Sequence, residues 1–127
     1  VDFGTATTFD LIINNNYEGG LITSGIKISH DALVSNTSKL KKILIIKTNK
    51  LIGKNTKDSM QSGFYWGYIS LINGIIEKIL KEKNIRPKII LTGGLSEIFR
   101  DKIRFKTFYE PNLTLDGLYL IGILKYA

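Results

Sequence analysis

Asp2-Phe3-Gly4-Thr5-Ala6-Thr7-Thr8 is the stretch on which the fold reading turns. A short extended run meets a glycine, and a Thr-rich extended run follows, so the segment predicts strands folded back at Gly4. Glycine at such a turn lets backbone N–H groups approach an anion closely, and the surrounding Thr hydroxyls add donors. A carboxylate beside the turn, here Asp2, can hold a cation that offsets phosphate charge. Together these parts make a phosphate-binding hairpin. The plainer reading of the same residues is a Thr-rich hairpin with a turn glycine.

Residues 9–13 predict a second strand, Asn14-Asn15-Asn16 a turn and residues 17–23 a third strand carrying Gly19-Gly20. Asparagine tolerates left-handed backbone angles, which is why the triplet reads as a turn. The three strands predict an antiparallel meander. A helix is expected over residues 26–40 and a short β-branched strand over 43–47. A long helix, capped by Asn55 or Thr56, should run to Asn84 with Met60, Phe64, Tyr68, Leu71, Ile75 and Ile79 as its apolar stripe. Arg86-Pro87 stops it. Residues 88–92 read as a buried strand ending in Gly93-Gly94, 95–100 as a short helix, 106–109 as an edge strand and 113–126 as a final helix. The order β-β-β-α-β-α-β-α-β-α predicts an α/β fold in one domain, with a mixed sheet and helices on both faces.

Composition narrows the function classes. The chain has 127 residues, no Cys and one His, so a disulfide, a Cys zinc site, a thiol nucleophile and a two-His metal motif are all excluded. The net charge is +7, with 18 basic and 11 acidic residues. Fifteen of the basic residues are Lys and three are Arg, a poor match to bidentate phosphate and base recognition. The acid-free, Lys-rich window 32–56 also lacks aromatic residues, so it has no stacking platform for single strands. Nucleic-acid binding is therefore not expected. No signal peptide is visible, and the uncharged stretch 59–76 is too polar for a membrane span. A cytoplasmic protein is expected. Val1 opens directly into a strand, which points to a piece of something longer.

Other segments could carry chemistry. Thr92-Gly93-Gly94 follows a strand and precedes a helix, a place where a nucleotide can approach closely and where an ordinary tight turn also fits. Gly19-Gly20 and Gly25 offer a flexible rim or strand bulges. Thr56 is either a helix cap or a hydroxyl aimed at a ligand near a positive helix end. Gly63 and Gly67, beside Phe64, Tyr65, Trp66 and Tyr68, could build core or a dimer interface. His30 reads as structural, and Glu77, Glu82, Glu97 and Asp101 as solvated surface charges.

In this order the pieces resemble the C-terminal half of a type III pantothenate kinase, of the acetate and sugar kinase/Hsc70/actin superfamily. Asp2-Phe3-Gly4-Thr5-Ala6-Thr7-Thr8 resembles its second phosphate motif. Gly19-Gly20-Leu21-Ile22-Thr23-Ser24-Gly25 resembles a glycine-rich segment of the family in which Ser24 takes the place of a usual Pro. Gly53-Lys54-Asn55-Thr56 followed by Met60-Gln61-Ser62-Gly63 is the most specific likeness and argues against other kinases or phosphatases of the superfamily. Thr92-Gly93-Gly94 and Leu113-Thr114-Leu115-Asp116-Gly117-Leu118 complete the set.

The resemblance implies a ribonuclease H-like half-domain with a mixed five-stranded sheet, its N-terminal half missing. It implies ATP-dependent phosphorylation of pantothenate to 4'-phosphopantothenate, the first step of coenzyme A biosynthesis, with magnesium and a potassium or ammonium ion. By the same resemblance Asp2 binds the monovalent cation, Gly4 and Thr5 contact ATP phosphate, Gly93 and Gly94 lie near the nucleotide, and Thr56 contacts pantothenate. A homodimer is implied, with the Gly63/Gly67 helix face suited to the contact. The family's first phosphate loop and its catalytic Asp, in a Gly-x-Asp-Arg segment, have no counterpart in these residues, so the isolated chain is expected not to catalyse. The competing expectation is a non-catalytic nucleotide-binding or transcription accessory module.

Overall fold

The computed structural model describes residues 1–126. Strands β1 (Asp2–Phe3), β2 (Ala6–Ile13) and β3 (Asn16–Ser24) form an antiparallel sheet in the order β1-β2-β3. The break at Gly4 is as expected, and β2 starts at Ala6 rather than Phe9. Asn14 and Asn15 make the β2–β3 turn with φ of 49° and 64°, the left-handed values of a tight hairpin. The register slips between Leu11 and Ile12, opposite Gly19 at φ 112°. Of the two readings of Gly19-Gly20, rim or bulge, the backbone shows a bulge here, and it twists the hairpin.

Helix α1 (Ile26–Ser35) stops short of the expected Leu40. Its end is set by side chains that turn back on it. Asn36 Nδ2 donates to the Ala32 carbonyl at 2.8 Å, and Thr37 Oγ1 to the Leu33 carbonyl at 2.9 Å. These bonds satisfy last-turn carbonyls that a longer helix would have used. Residues 36–55 contain neither helix nor strand, so the strand expected at 43–47 is not formed. The Ile43 N–H donates to His30 Nε2 and the Leu44 carbonyl accepts from Gln61 Nε2. With helix side chains as partners there is no ladder, and β-branched residues alone do not make a strand.

Helix α2 (Thr56–Lys83) runs unbroken from an Asn55 cap, whose Oδ1 accepts the Asp58 N–H at 2.9 Å, to left-handed Asn84. Asn55 is therefore the cap and Thr56 the first helical residue. The buried face is Met60, Tyr65, Tyr68, Ile69, Ile72 and Ile76. The expected stripe is met at Met60 and Tyr68, while Phe64, Ile75 and Ile79 sit at the core's margin and Leu71 is exposed. Residues 64–76 are apolar on several sides, so spacing alone does not select the face that the sheet covers.

Strand β4 (Ile89–Leu91) pairs in parallel with β5 (Thr107–Tyr109). Between them lie the short helix α3 (Ser96–Phe99) and a 3-10 turn at Arg100–Lys102. The two sheets meet side by side. Phe3 N–H donates to the Thr92 carbonyl and Thr92 N–H to the Val1 carbonyl, both at 2.9 Å, in a parallel bridge of Asp2 with Thr92. The result is a mixed α/β domain with one apolar cluster in which Phe3, Phe9 and Leu91 meet the buried face of α2. Phe99 closes it, stacked on Phe3 at 6.0 Å and Tyr65 at 5.9 Å and tilted against Tyr68 at 4.9 Å.

Helix α4 (Leu113–Tyr126) forms where expected but contributes nothing to this core: none of its residues is buried, and Leu124 is 85% exposed. Among the described residues no helix is long and apolar enough to cross a membrane. Truncating Phe99 to Ala should lower the unfolding free energy in urea by about 3–5 kcal/mol, whereas Leu124→Ala should change it by no more than about 0.5 kcal/mol. Equal losses at the two positions would contradict this division of core and surface.

Candidate phosphate and acceptor sites

The Asp2–Thr92 bridge decides the geometry of the first site, because it sets the turn after β1 beside the turn after β4. Gly4 and Thr5 form the tip of the β1–β2 turn and are exposed, with Gly4 N–H donating to the Ala6 carbonyl at 3.1 Å. Asp2 is half-buried, and its Oδ1 faces Gly93: a Cβ built on Gly93 would lie 2.5 Å from that oxygen and 2.6 Å from Phe3 N. Gly93 also has φ 91°. Close approach and backbone angle thus both demand glycine there. Gly94, by contrast, is exposed with open space beside it.

Two further residues complete this corner. Gly25, the residue before α1, packs on the hairpin tip: its N–H donates to the Thr5 carbonyl at 3.1 Å, and a Cβ on it would collide with that oxygen. The positive end of a ten-residue helix therefore starts against Thr5. Buried Ser96 donates to the Gly93 carbonyl at 2.7 Å and fixes the second turn. Below the tip, buried Thr7 hydrogen-bonds through its hydroxyl to Tyr68 on α2. Burial pushes the Tyr68 phenol upward, against the smaller opposing effect of that hydrogen bond, so it stays neutral at physiological pH.

Asp2, Gly4, Thr5, Gly93 and Gly94 are thus brought to one corner of the fold. Sequence reading did not single out Thr7–Tyr68 or Ser96 as supports. The Thr run and the post-glycine Ser were the only signals available. Among the described residues no three His, Cys, Asp or Glu side chains cluster as metal ligands. Among those residues Asp2 is the one carboxylate at this corner, so a metal ion held there would need most of its other ligands from outside this side chain.

Thr56 lies elsewhere. It lines a cleft of about 680 Å³ between α1 and the start of α2, with Leu33, Leu40, Lys54, Met60 and Phe64. Apolar walls with a few polar groups suit a small ligand carrying a hydroxyl or a negative charge. Gly63 and Gly67 are exposed on α2, with no atom within 4 Å of a built Cβ, so they are not core. Tyr65 and Tyr68 are. His30 is structural, as expected, buried against Phe64 at 5.3 Å. Asp101 and Glu77 are exposed but paired, with Lys47 at 2.6 Å and Arg104 at 3.1 Å, and the Lys47 hydrogen bond holds the Asp101 carboxyl below its usual range.

Residues 1–78 match the family model described as type III pantothenate kinase. The chain belongs to the type III pantothenate kinase family. It is 46% identical over 118 residues to the type III pantothenate kinase of Pelagibacter ubique, covering 93% of this chain and 48% of that protein. It is 47% identical over 120 residues to that of Persephonella marina, covering 94% and 47%. The chain therefore spans about half the length of the curated relatives it matches, and it corresponds to their C-terminal part. A solved structure described as a Baf family transcriptional activator from Campylobacter jejuni superposes with a TM-score of 0.64 at 23% identity, covering 94% of this chain and 54% of that one. This last likeness is one of fold.

The two glycines of the Thr92-Gly93-Gly94 turn should respond differently in this family member. Gly93→Ala must displace Asp2 and the β1 backbone and is expected to cost more than about 1 kcal/mol, while Gly94→Ala should stay within about 0.5 kcal/mol. Thermal melts of both variants decide it, and equal stability would mean that Asp2 does not rest on Gly93.

Proposed function

We propose that this chain is the C-terminal half of an enzyme that phosphorylates pantothenate with ATP, giving 4'-phosphopantothenate for coenzyme A synthesis. The observation that carries the reading is the convergence of Asp2, Gly4 and Thr5 with the Gly93 turn across the Asp2–Thr92 bridge, in a chain of this family. The five strands, read as one sheet through that bridge, support a ribonuclease H-like half-domain of the acetate and sugar kinase/Hsc70/actin superfamily.

Each residue has a task in this reading. The Gly4 and Thr5 backbone and the Thr5 hydroxyl bind ATP phosphate at the exposed tip. Gly93 and Gly94 leave room for the nucleotide beside β4. Asp2 would hold a potassium or ammonium ion, which, with magnesium on the nucleotide phosphates, would offset phosphate charge. Thr56 and Lys54 hold pantothenate in the cleft at the start of α2, through a hydroxyl and a cationic head beside apolar walls. Phosphoryl transfer depends mainly on positioning and electrostatic stabilisation, and these residues supply part of both. The catalytic base comes from the N-terminal half. The enzyme works in the cytoplasm as a homodimer, with the open Gly63/Gly67 face of α2 as the contact between copies.

The test is ATP-dependent phosphorylation of pantothenate. The 127-residue chain should be inactive alone, and active when joined to the N-terminal half of the Pelagibacter ubique relative. In the joined protein Thr5→Ala and Asp2→Ala should each lower kcat/KM by about tenfold or more, in the manner of a lost charge-assisted contact. Turnover by the chain alone would refute the half-enzyme reading. Salt-dependent DNA binding without nucleotide binding would favour the accessory-module alternative.

A further inference from the structure

Residues 43–52 form neither helix nor strand, yet four side chains from two helices hold them. His30 of α1 accepts the Ile43 N–H at Nε2, 3.1 Å away. Gln61 Nε2 donates to the Leu44 carbonyl and Trp66 Nε1 to the Lys50 carbonyl, each at 3.3 Å. Ser62 donates to the Leu51 carbonyl and is 3% exposed. Three of these four residues lie on the first turns of α2. The segment ends at Gly53, where a Cβ would lie 2.3 Å from Ser59 N, so the chain lies directly on the helix before Lys54, Asn55 and Thr56 enter the cleft.

Neither Gln61 nor Ser62 lines that cleft. Each points instead at the strap leading into it. Beyond these bonds the strap is held by partly buried Ile45 against the core and by the Lys47–Asp101 ion pair, and neither of those reaches its end at residues 50–52, where without a ladder the side-chain bonds fix the path. We propose that Gln61 and Ser62 are positioning residues for the phosphate acceptor: by holding the strap 43–52 they set the Gly53–Thr56 turn and so aim the Thr56 hydroxyl. The inference rests on the reading of Thr56 as an acceptor contact and names the residues that make its geometry.

Two measurements test it. The first needs no activity: amide hydrogen exchange of residues 43–56 in the 127-residue chain. Ser62→Ala and Gln61→Glu, which remove the donors, should each speed exchange of residues 50–56 by about five- to tenfold, the effect of losing one hydrogen bond. The C-terminal half of α2 should be unmoved, and Ser62→Thr, which keeps a hydroxyl, should restore protection. Unchanged exchange, or an equal rise throughout the domain, overturns the proposal. Because Gln61 is half-buried and Ser62 is buried, the Gln61 variant keeps the test open even where a Ser62 variant fails to fold.

The second measurement uses the protein joined to the N-terminal half. Gln61→Glu should raise the KM for pantothenate severalfold and leave the KM for ATP within twofold. A fall in kcat with both KM values unchanged overturns acceptor positioning. If the joined wild-type protein does not phosphorylate pantothenate at all, the kinase reading fails and the acceptor role fails with it, while the exchange result still decides whether these side chains hold the strap.

Discussion

The seam between β1 and β4 is the contact on which the rest of the structure depends. Two backbone hydrogen bonds, Phe3 to Thr92 and Thr92 to Val1, join segments about ninety residues apart in the sequence. They do three things together. They bury Phe3 and Leu91 against α2, join the two small sheets at a single bridge, and bring the β1–β2 turn beside the Gly93 turn. The core and the proposed phosphate corner are therefore products of one registration. A shift of one residue along the seam would turn Phe3 outward and carry Asp2 away from Gly93, because side chains alternate faces along a strand.

Much of this was legible in the residues. The Asn14-Asn15 turn, the bulge at Gly19, the Asn55-to-Asn84 helix and the glycine turn after β4 each follow from a local backbone demand that few residue types meet. Such demands are readable without knowledge of neighbours. What escaped reading depends on tertiary partners. The 43–47 run is rich in Ile, but its backbone finds helix side chains in place of a strand. The stripe of α2 is legible at Met60 and Tyr68 but not throughout, because residues 64–76 are apolar on several sides and the sheet, not the spacing, selects the buried face. The end of α1 was set by Asn36 and Thr37 turning back, a choice that periodicity does not register.

The candidate sites divide in the same way. Asp2, Gly4, Thr5, Gly93 and Gly94 could be named from two short motifs, and the fold brings them together. Thr56 could be named too, although it belongs to a separate cleft, next to a cap supplied by its neighbour Asn55. The supports were legible only in part. Thr7 stands in the Thr run and Gln61-Ser62 in the most specific family likeness, whereas Tyr68 and Ser96 look like ordinary helix residues, and for none of them is the supporting role visible until its partner is known. A contact residue is constrained by a ligand's chemistry, whereas a support is constrained by what this particular fold places opposite it.

The separation of the seam's two sides in sequence also sets an order of events during synthesis. Thr92 leaves the ribosome about ninety residues after its partner strand β1. At typical elongation rates that interval is roughly 5–20 s. The β1–β2–β3 hairpins can close within it, since their contacts are local. Through that interval Leu91, Thr92 and Phe99 are not yet there to cover Phe3 or to pair with β1. The bonds that define the finished domain are thus among the last it can make. The β1 edge that will pair with Thr92 and the Phe3 ring that will stack on Phe99 therefore wait for partners made seconds later, and an unpaired strand edge beside an apolar ring is the kind of surface on which aggregation starts.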